Sequence, residues 1–252
     1  MIRLRVLGAA AALLLLLVLL LASAPAHLLS RLLADTPVAA DGLTGTLWNG
    51  RASRVRLVTN AGALHLGEVR WALRPWSLLT LTPRLQFSSD WVDQRLRGVL
   101  ELRGQRDIVL SDLQAGFDAA LLRHVAPVSL TGALGAQVEK LHLRDGLPVT
   151  ATARVTWQQA AWDSPQGLLP LGSYALDVQS TAPGQLAGTV ITLSGPVRAE
   201  GQLQLQQRDY SIAILITHES TWDPLLREAL ALLARPLDAG YDLRFDGSLP
   251  SQ

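Results

Sequence analysis

The residues of this chain best suited to acid–base or metal chemistry are its five histidines, and their spacing suits neither. His27, His65, His124, His142 and His218 form no His-x-His or His-Glu-x-x-His pair, so a zinc ion finds no ready ligand set. His65 and His142 each precede a leucine in an alternating segment and read as solvent-face residues of strands. With no cysteine in the chain, thiolate metal sites, disulfides and cysteine nucleophiles are excluded together. The Gly-x-Ser-x-Gly elbow of a hydrolase is missing, and so are a Walker phosphate loop and a Gly-x-Gly-x-x-Gly turn. Asp90 with Asp93, and Asp107 with Asp112, are carboxylates at expected turns, where solvated acids are routine. Two acids distant in sequence can still meet as a glycosidase pair, and sequence alone does not exclude it. The expectation is a protein with no catalytic residue, no cofactor and no metal, and so not an enzyme.

Seven tryptophans are the more specific signal. Indole combines a large apolar body with one N–H donor, which suits both interfaces and sandwich cores. Trp71 and Trp157 share the apolar parity of their segments and are expected in the core. Trp48 precedes Asn49-Gly50 and Trp76 follows Pro75; these two, beside a turn and a proline, are expected at an interaction surface.

The elements that must carry these residues begin with Val6 to Ala26, which contains no charge and follows Arg3 and Arg5. As a helix it covers roughly 30 Å, the thickness of a bilayer's hydrocarbon core. The arginines hold residues 1–5 in the cytoplasm and send the chain after His27 across the membrane. The competing expectation is a cleaved signal peptide, since Ala22-Ser23-Ala24 and Ala24-Pro25-Ala26 both resemble small-residue cleavage sites. The apolar block is longer than an ordinary signal core, which favours a retained anchor. Residues 27–42 then form a juxtamembrane linker, with Leu28 to Ala34 continuing the helix until Asp35 and Pro37.

Residues 43–252 read as a β-rich body. Val149 to Trp157 alternates apolar and polar without a break, and shorter alternations surround Val55, Leu64, Val69, Leu85, Leu100, Leu134, Tyr174, Leu203, Tyr210 and Tyr241. Turns are expected at Asp41-Gly42, Asn49-Gly50, Asp145-Gly146 and Pro183-Gly184. About a dozen such strands predict a mainly antiparallel all-β fold, as a curved sheet or a sandwich. Two short helices interrupt it. One runs from Asp223 as N-cap through Pro224 to Pro236; the other starts at Asp118 and ends before Pro127. Leucines nearly encircle the first, which predicts burial against an apolar surface.

The chain also repeats itself. Leu43-Thr44-Gly45-Thr46-Leu47 returns as Leu130-Thr131-Gly132-Ala133-Leu134, and Trp71 and Trp157 follow the two glycines by 26 and 25 residues. Each tryptophan has another five positions on, Trp76 and Trp162. This predicts a duplicated β unit of about 90 residues, with halves 43–129 and 130–252.

Composition narrows the partners. The charge is nearly balanced, 22 basic against 21 acidic side chains, and no basic run is long enough to follow a phosphate backbone. Nucleic acid is therefore not expected.

Gly45 to Ala52 (GTLWNGRA) followed by Val69 to Leu79 (VRWALRPWSLL) resembles the type II secretion system protein N family. The likeness runs through Gly45, Thr46, Leu47, Trp48, Gly50 and Ala52, then Trp71, Leu73, Pro75 and Leu78. Further along it takes in Trp157, Ala160, Leu171, Gly172, Tyr174, Gly195, Pro196, Gly201 and Gly240 to Leu243. Arg208-Asp209 departs from it, because a glycine-containing turn is expected there. The resemblance implies a single-pass inner-membrane protein of a Gram-negative bacterium with its bulk in the periplasm. It implies an accessory part in the machine that exports folded proteins across the outer membrane, partners among that machine's other subunits, and no catalytic residues. Gly45, Leu47, Trp48, Gly50, Trp71, Pro75, Trp76 and Trp157 are the motif residues carried over as interaction candidates. Glycine-led alternating strands behind an anchor also resemble AsmA-type envelope proteins, and that likeness implies a β groove for acyl chains instead. A leucine-rich helix across the open face of the sheet would favour the docking reading; an open apolar face would favour lipid.

Overall fold

A computed structural model describes residues 23–32, 36, 38–59, 62–91, 94–104, 106–124, 129–219 and 222–249. The expected membrane span lies outside them except for its end. Ser23 to Ala26 are not helical: Pro25 forms an isolated antiparallel bridge with Thr46, and Leu47 N–H donates to Ala24 O at 2.8 Å. Among the described residues no helix is long and apolar enough to cross a membrane. The linker helix is present within the described residues as α1 (Leu28–Leu32), separated from the residues before it by the non-helical Ser23 to Ala26.

The chain divides into two compact units, with the boundary between Asp90 and Trp91. In the first, β1 (Val38–Gly45), β2 (Asn49–Thr59), β3 (Gly62–Leu73) and β4 (Arg84–Trp91) pair antiparallel in chain order. Between β3 and β4 lies α2 (Trp76–Leu79), a single turn after Pro75 that the sequence reading did not anticipate. Two expected turns move. Gly42, at φ +67°, sits inside β1 opposite Ser53, with no register shift between the pairs Asp41–Arg54 and Leu43–Ala52, and a Cβ on it would overlap the Ser53 hydroxyl. Asn49-Gly50 opens β2 rather than turning, and the reversal is made by Gly45 to Trp48. A glycine with positive φ serves a close cross-strand approach as readily as a turn, so its presence alone does not distinguish the two.

The second unit continues as hairpins. They are β5 (Gln94–Leu102), β6 (Asp107–Asp118), β7 (Leu130–Arg144), β8 (Leu147–Ser164), β9 (Gly167–Ala182), β10 (Gln185–Ser194), β11 (Val197–Gln206) and β12 (Asp209–His218). After α3 (Pro224–Leu233), β13 (Arg235–Leu237) and β14 (Gly240–Ser248) follow, with β14 beside β12 and β13 outside it. The Asp118 segment forms a 3-10 helix, Ala119–His124, whose first turn is capped by Asp118 Oδ1 accepting from Ala120 N at 2.7 Å. Strands β5 to β12 pair antiparallel in chain order, each with its neighbour, so the expected mainly antiparallel all-β fold is present in this unit as a hairpin-built sheet.

Turn chemistry supports this register. Asp145 and Gly146 both take positive φ, +52° and +75°, the conformation a type I′ hairpin needs. Where a glycine was expected before Tyr210, Gln207 takes the left-handed position at φ +56°, and the β11–β12 hairpin closes without one.

Candidate interaction surfaces

The repeated motif builds the same local device in both units. In the first, Gly45 at φ +89° lets the chain reverse; a Cβ there would meet Asn49 O at 2.6 Å. Thr46 closes the reversal, accepting at Oγ1 from Asn49 N at 3.1 Å while its own N–H donates to Asn49 O at 2.8 Å. The indole of Trp71 lies across Gly50, where a Cβ would overlap the ring, and its Nε1 donates to Leu47 O at 3.1 Å. In the second unit Gly132 stands at φ +114°, and the Trp157 indole donates to Thr131 O at 3.0 Å. Trp157 also meets Tyr174, ring centres 5.9 Å apart. Tyr174 Oη donates to Val197 O at 2.9 Å, and burial pushes this phenol up to about 12.

Five of the eight motif candidates, Gly45, Leu47, Gly50, Trp71 and Trp157, are thus engaged in holding strand ends together. Trp48, expected at a surface, is only 8% exposed, and its carbonyl accepts from Leu73 N at 2.7 Å. Pro75 sits before α2 with φ −58° and starts its turn. Trp76, by contrast, stands out from the surface, with 79% of the residue exposed.

The second unit presents a different surface. Register places Leu96, Ala115, Ala136, Val155, Leu176, Val190, Gly201, Ile214 and Leu243 in one cross-strand row from β5 to β14. A parallel row runs Leu113, Val138, Ala153, Val178, Gly188, Leu203, Ile212 and Phe245. The opposite face carries Gln114, Gln137, Arg154, Asp177, Thr189 and Gln202. Apolar positions on this face are mostly half-buried, and no large side chain among the described residues is fully enclosed.

Helix α3 does not cover that face. Asp223 caps it, its Oδ1 accepting from Leu225 N at 2.9 Å and Leu226 N at 3.2 Å. Leu226 is buried, Tyr241 Oη on β14 donates to Arg227 O at 3.3 Å, and Trp222 packs edge-on to Tyr241 at 5.2 Å. The helix leans on β14, so the expected burial of all its leucines fails: Leu232 is 84% exposed. Ten residues docked through one side bury one stripe only.

One polar cluster escaped the sequence reading. His142 Nε2 lies 2.7 Å from Asp107 Oδ1, with Arg144 Nε 3.4 Å from the other oxygen, so His142 is a paired, largely buried residue and not a solvent-face one. The His142 hydrogen bond, with Arg144 behind it, holds the Asp107 carboxyl below its ordinary value. The pair resembles the orienting half of a catalytic triad, but no hydroxyl is hydrogen-bonded to the ring. Among the described residues no three His, Asp or Glu side chains form a group able to hold a metal.

Comparison with known proteins decides the family. The model for type II secretion system (T2SS), protein N, matches residues 36–244. The chain belongs to the type II secretion system protein N family. Type II secretion system protein N of Aeromonas hydrophila is 28% identical over 257 residues, covering 98% of this chain and 100% of that one. The protein of the same name from Vibrio cholerae is 28% identical over 221 residues (82% and 84% of the two chains). That from Klebsiella pneumoniae is 29% identical over 187 residues (71% and 70%). No solved structure matches. Membership makes the chain a secretion-system component, and its partners are sought among the other subunits of that system.

Proposed function

We propose that this chain is an accessory inner-membrane component of the type II secretion system, tethered by the N-terminal apolar segment before Ser23 with its β units in the periplasm, and that it acts by protein–protein contact during export of folded proteins. The observation that supports contact is the open edge of β14. β13 pairs only with Gly240 to Asp242, so Leu243 to Ser248 have a strand on one side alone among the described residues. Unpaired backbone donors and acceptors in a row are a template for strand addition. A tether confines that edge to a thin shell of periplasm and raises the effective concentration of neighbouring subunits. Photo-crosslinking from positions Arg244 and Asp246, in cells making the whole apparatus, should trap a secretion subunit. A deletion strain should lose exoprotein export. No trapped subunit together with normal export refutes the proposal.

A second reading, an AsmA-type lipid-handling β groove, is favoured by the uncovered apolar rows of the second unit and by α3 leaning on β14 instead of crossing them. Native mass spectrometry of the purified chain separates the two. Stoichiometric phospholipid that survives detergent exchange supports the groove; a lipid-free chain that still binds secretion subunits supports docking.

A further inference from the structure

The loop between β3 and β4 puts its apolar side chains outward. Trp76 is 79% exposed and Leu81 84%, with Leu78 exposed beside them. Leu81 does so from a left-handed backbone, φ +54°, a conformation that costs leucine about 1–2 kcal/mol and that glycine or asparagine fills more cheaply. The loop is not slack. Ser77 Oγ donates to Arg74 O and accepts from Arg84 N at 2.9 Å; Thr82 N donates to Ser77 O at 3.1 Å, and Leu81 N to Leu78 O at 3.1 Å. A braced loop that holds a strained leucine and a tryptophan in water is built to meet something apolar.

Its position indicates what. Pro25 bridges Thr46, Gly45 pairs with Gly50, and Gly50 pairs with Trp71. Three strand spacings, about 14 Å, therefore separate the point where the chain leaves its N-terminal apolar segment from the strand end that carries the loop. Both lie at the same end of this sheet. A membrane span ending just before Ser23 would set that end against the bilayer. The charge agrees: residues 71–89 contain Arg74 and Arg84 and no carboxylate, while Arg70 is paired with Glu68 at 2.7 Å. Tryptophan and arginine together suit the headgroup layer, where indole sits at the interface and guanidinium meets phosphate.

We infer that the Trp76–Leu81 loop is a second membrane contact, dipping Trp76, Leu78 and Leu81 into the periplasmic leaflet while Arg74 and Arg84 hold anionic headgroups. The inference rests on the proposal that the N-terminal apolar segment before Ser23 crosses the inner membrane. Two contacts about 14 Å apart fix the first unit's orientation on the bilayer, which a single flexible tether does not.

The chain has no cysteine, so a single reporter can be placed without background. Full-length Leu81→Cys and Trp76→Cys, each carrying an NBD fluorophore, are reconstituted into vesicles of phosphatidylcholine and phosphatidylglycerol. Lipid doxyl-labelled near the headgroup should quench both probes. Iodide should quench them roughly threefold less than the same probe on exposed Thr189, because a hydrated anion does not enter the hydrocarbon boundary. Arg74→Glu with Arg84→Glu should weaken the contact in anionic vesicles by about fivefold for each arginine lost. Probes open to iodide and untouched by doxyl lipid, in chain that resists carbonate extraction, overturn the loop contact and leave the anchor standing. Chain stripped by carbonate with open probes overturns both. Probes shielded only when other secretion subunits are added make this a protein docking surface, which also overturns the inference.

Discussion

Gly195→Ala and Gly167→Ala test whether glycines pin the strands of the second unit by close approach or only by backbone freedom. The two positions have nearly the same backbone, φ +115° and +123°. Their surroundings differ. A Cβ at Gly167 meets nothing within 4 Å, whereas one at Gly195 overlaps the Gly172 Cα and comes 2.9 Å from Leu171 O. Gly172 is itself at φ +144°, and a Cβ there would overlap Ser194 O, so two strands touch backbone to backbone at this point. The alanine at position 167 pays only for its conformation, about 1–3 kcal/mol, less under about 1 kcal/mol gained by restricting the unfolded chain. At position 195 the same cost applies, and the overlap adds about 2 kcal/mol more because backbone atoms on both sides must move. In a unit of this size each kcal/mol lowers the melting temperature by about 2–4 °C, so the Gly195 variant should melt roughly 4–8 °C below the Gly167 variant. Urea titration followed by far-UV circular dichroism gives the free energies directly. Equal destabilisation of the two variants refutes the close-approach argument.

The indole donors predict a matched pair: Trp71→Phe and Trp157→Phe each strand a carbonyl, Leu47 O or Thr131 O, and should each cost about 1–2 kcal/mol in the same titration. Asp107 predicts a pH dependence. Its carboxyl is held below the ordinary 3.8, so its contribution is complete above that value and is lost as pH falls through the lower folded value. Wild type should therefore lose its advantage over Asp107→Asn on acidification below about pH 4, read from urea midpoints across pH 3 to 7. Asp223→Ala removes the cap of α3 and should cost about 1 kcal/mol, with enhanced amide exchange at Leu225 and Leu226 as its local signature.

Much of the strand plan was legible because a strand's period is two, and alternation such as Val149 to Trp157 survives any detail of packing. The spacing from Gly45 to Trp71 and from Gly132 to Trp157 was legible for a related reason: hairpin register turns a fixed count of residues into a fixed neighbour. What escaped notice was decided by partners far along the chain. His142 reads as a surface residue until Asp107, thirty-five positions earlier, is brought beside it by β6 and β7 pairing. Trp48 and Trp76 share turn-like surroundings, yet one is buried and the other stands clear. Local sequence holds the turn but not the direction of the ring. Helix α2 is one turn long, too short to show any period, and β7's bulge at Glu139, opposite Asp112 at φ +51°, carries no glycine to announce it.

The two readings of the second unit differ in what completes it, and the sheet itself explains why something should. Hairpin pairing satisfies the backbone of the inner strands, whereas Leu243 to Ser248 of β14 have a partner strand on one side alone among the described residues. Burial is different. Rows such as Val155, Leu176, Val190 and Ile214 are only half-buried, so they recover only part of the hydrophobic stabilisation that full burial would give. An added strand at β14 would lengthen those rows without covering them. Acyl chains or an apolar helix laid across them would cover the rows and leave the edge open. Heat capacity separates these outcomes where affinity does not. Covering the apolar rows gives a large negative change on binding, scaling with apolar area, and backbone pairing at an exposed edge gives a small one. Calorimetry of the chain with its crosslinked partner therefore assigns the contact: a small change keeps the partner at β14, and a large one moves it onto the apolar face.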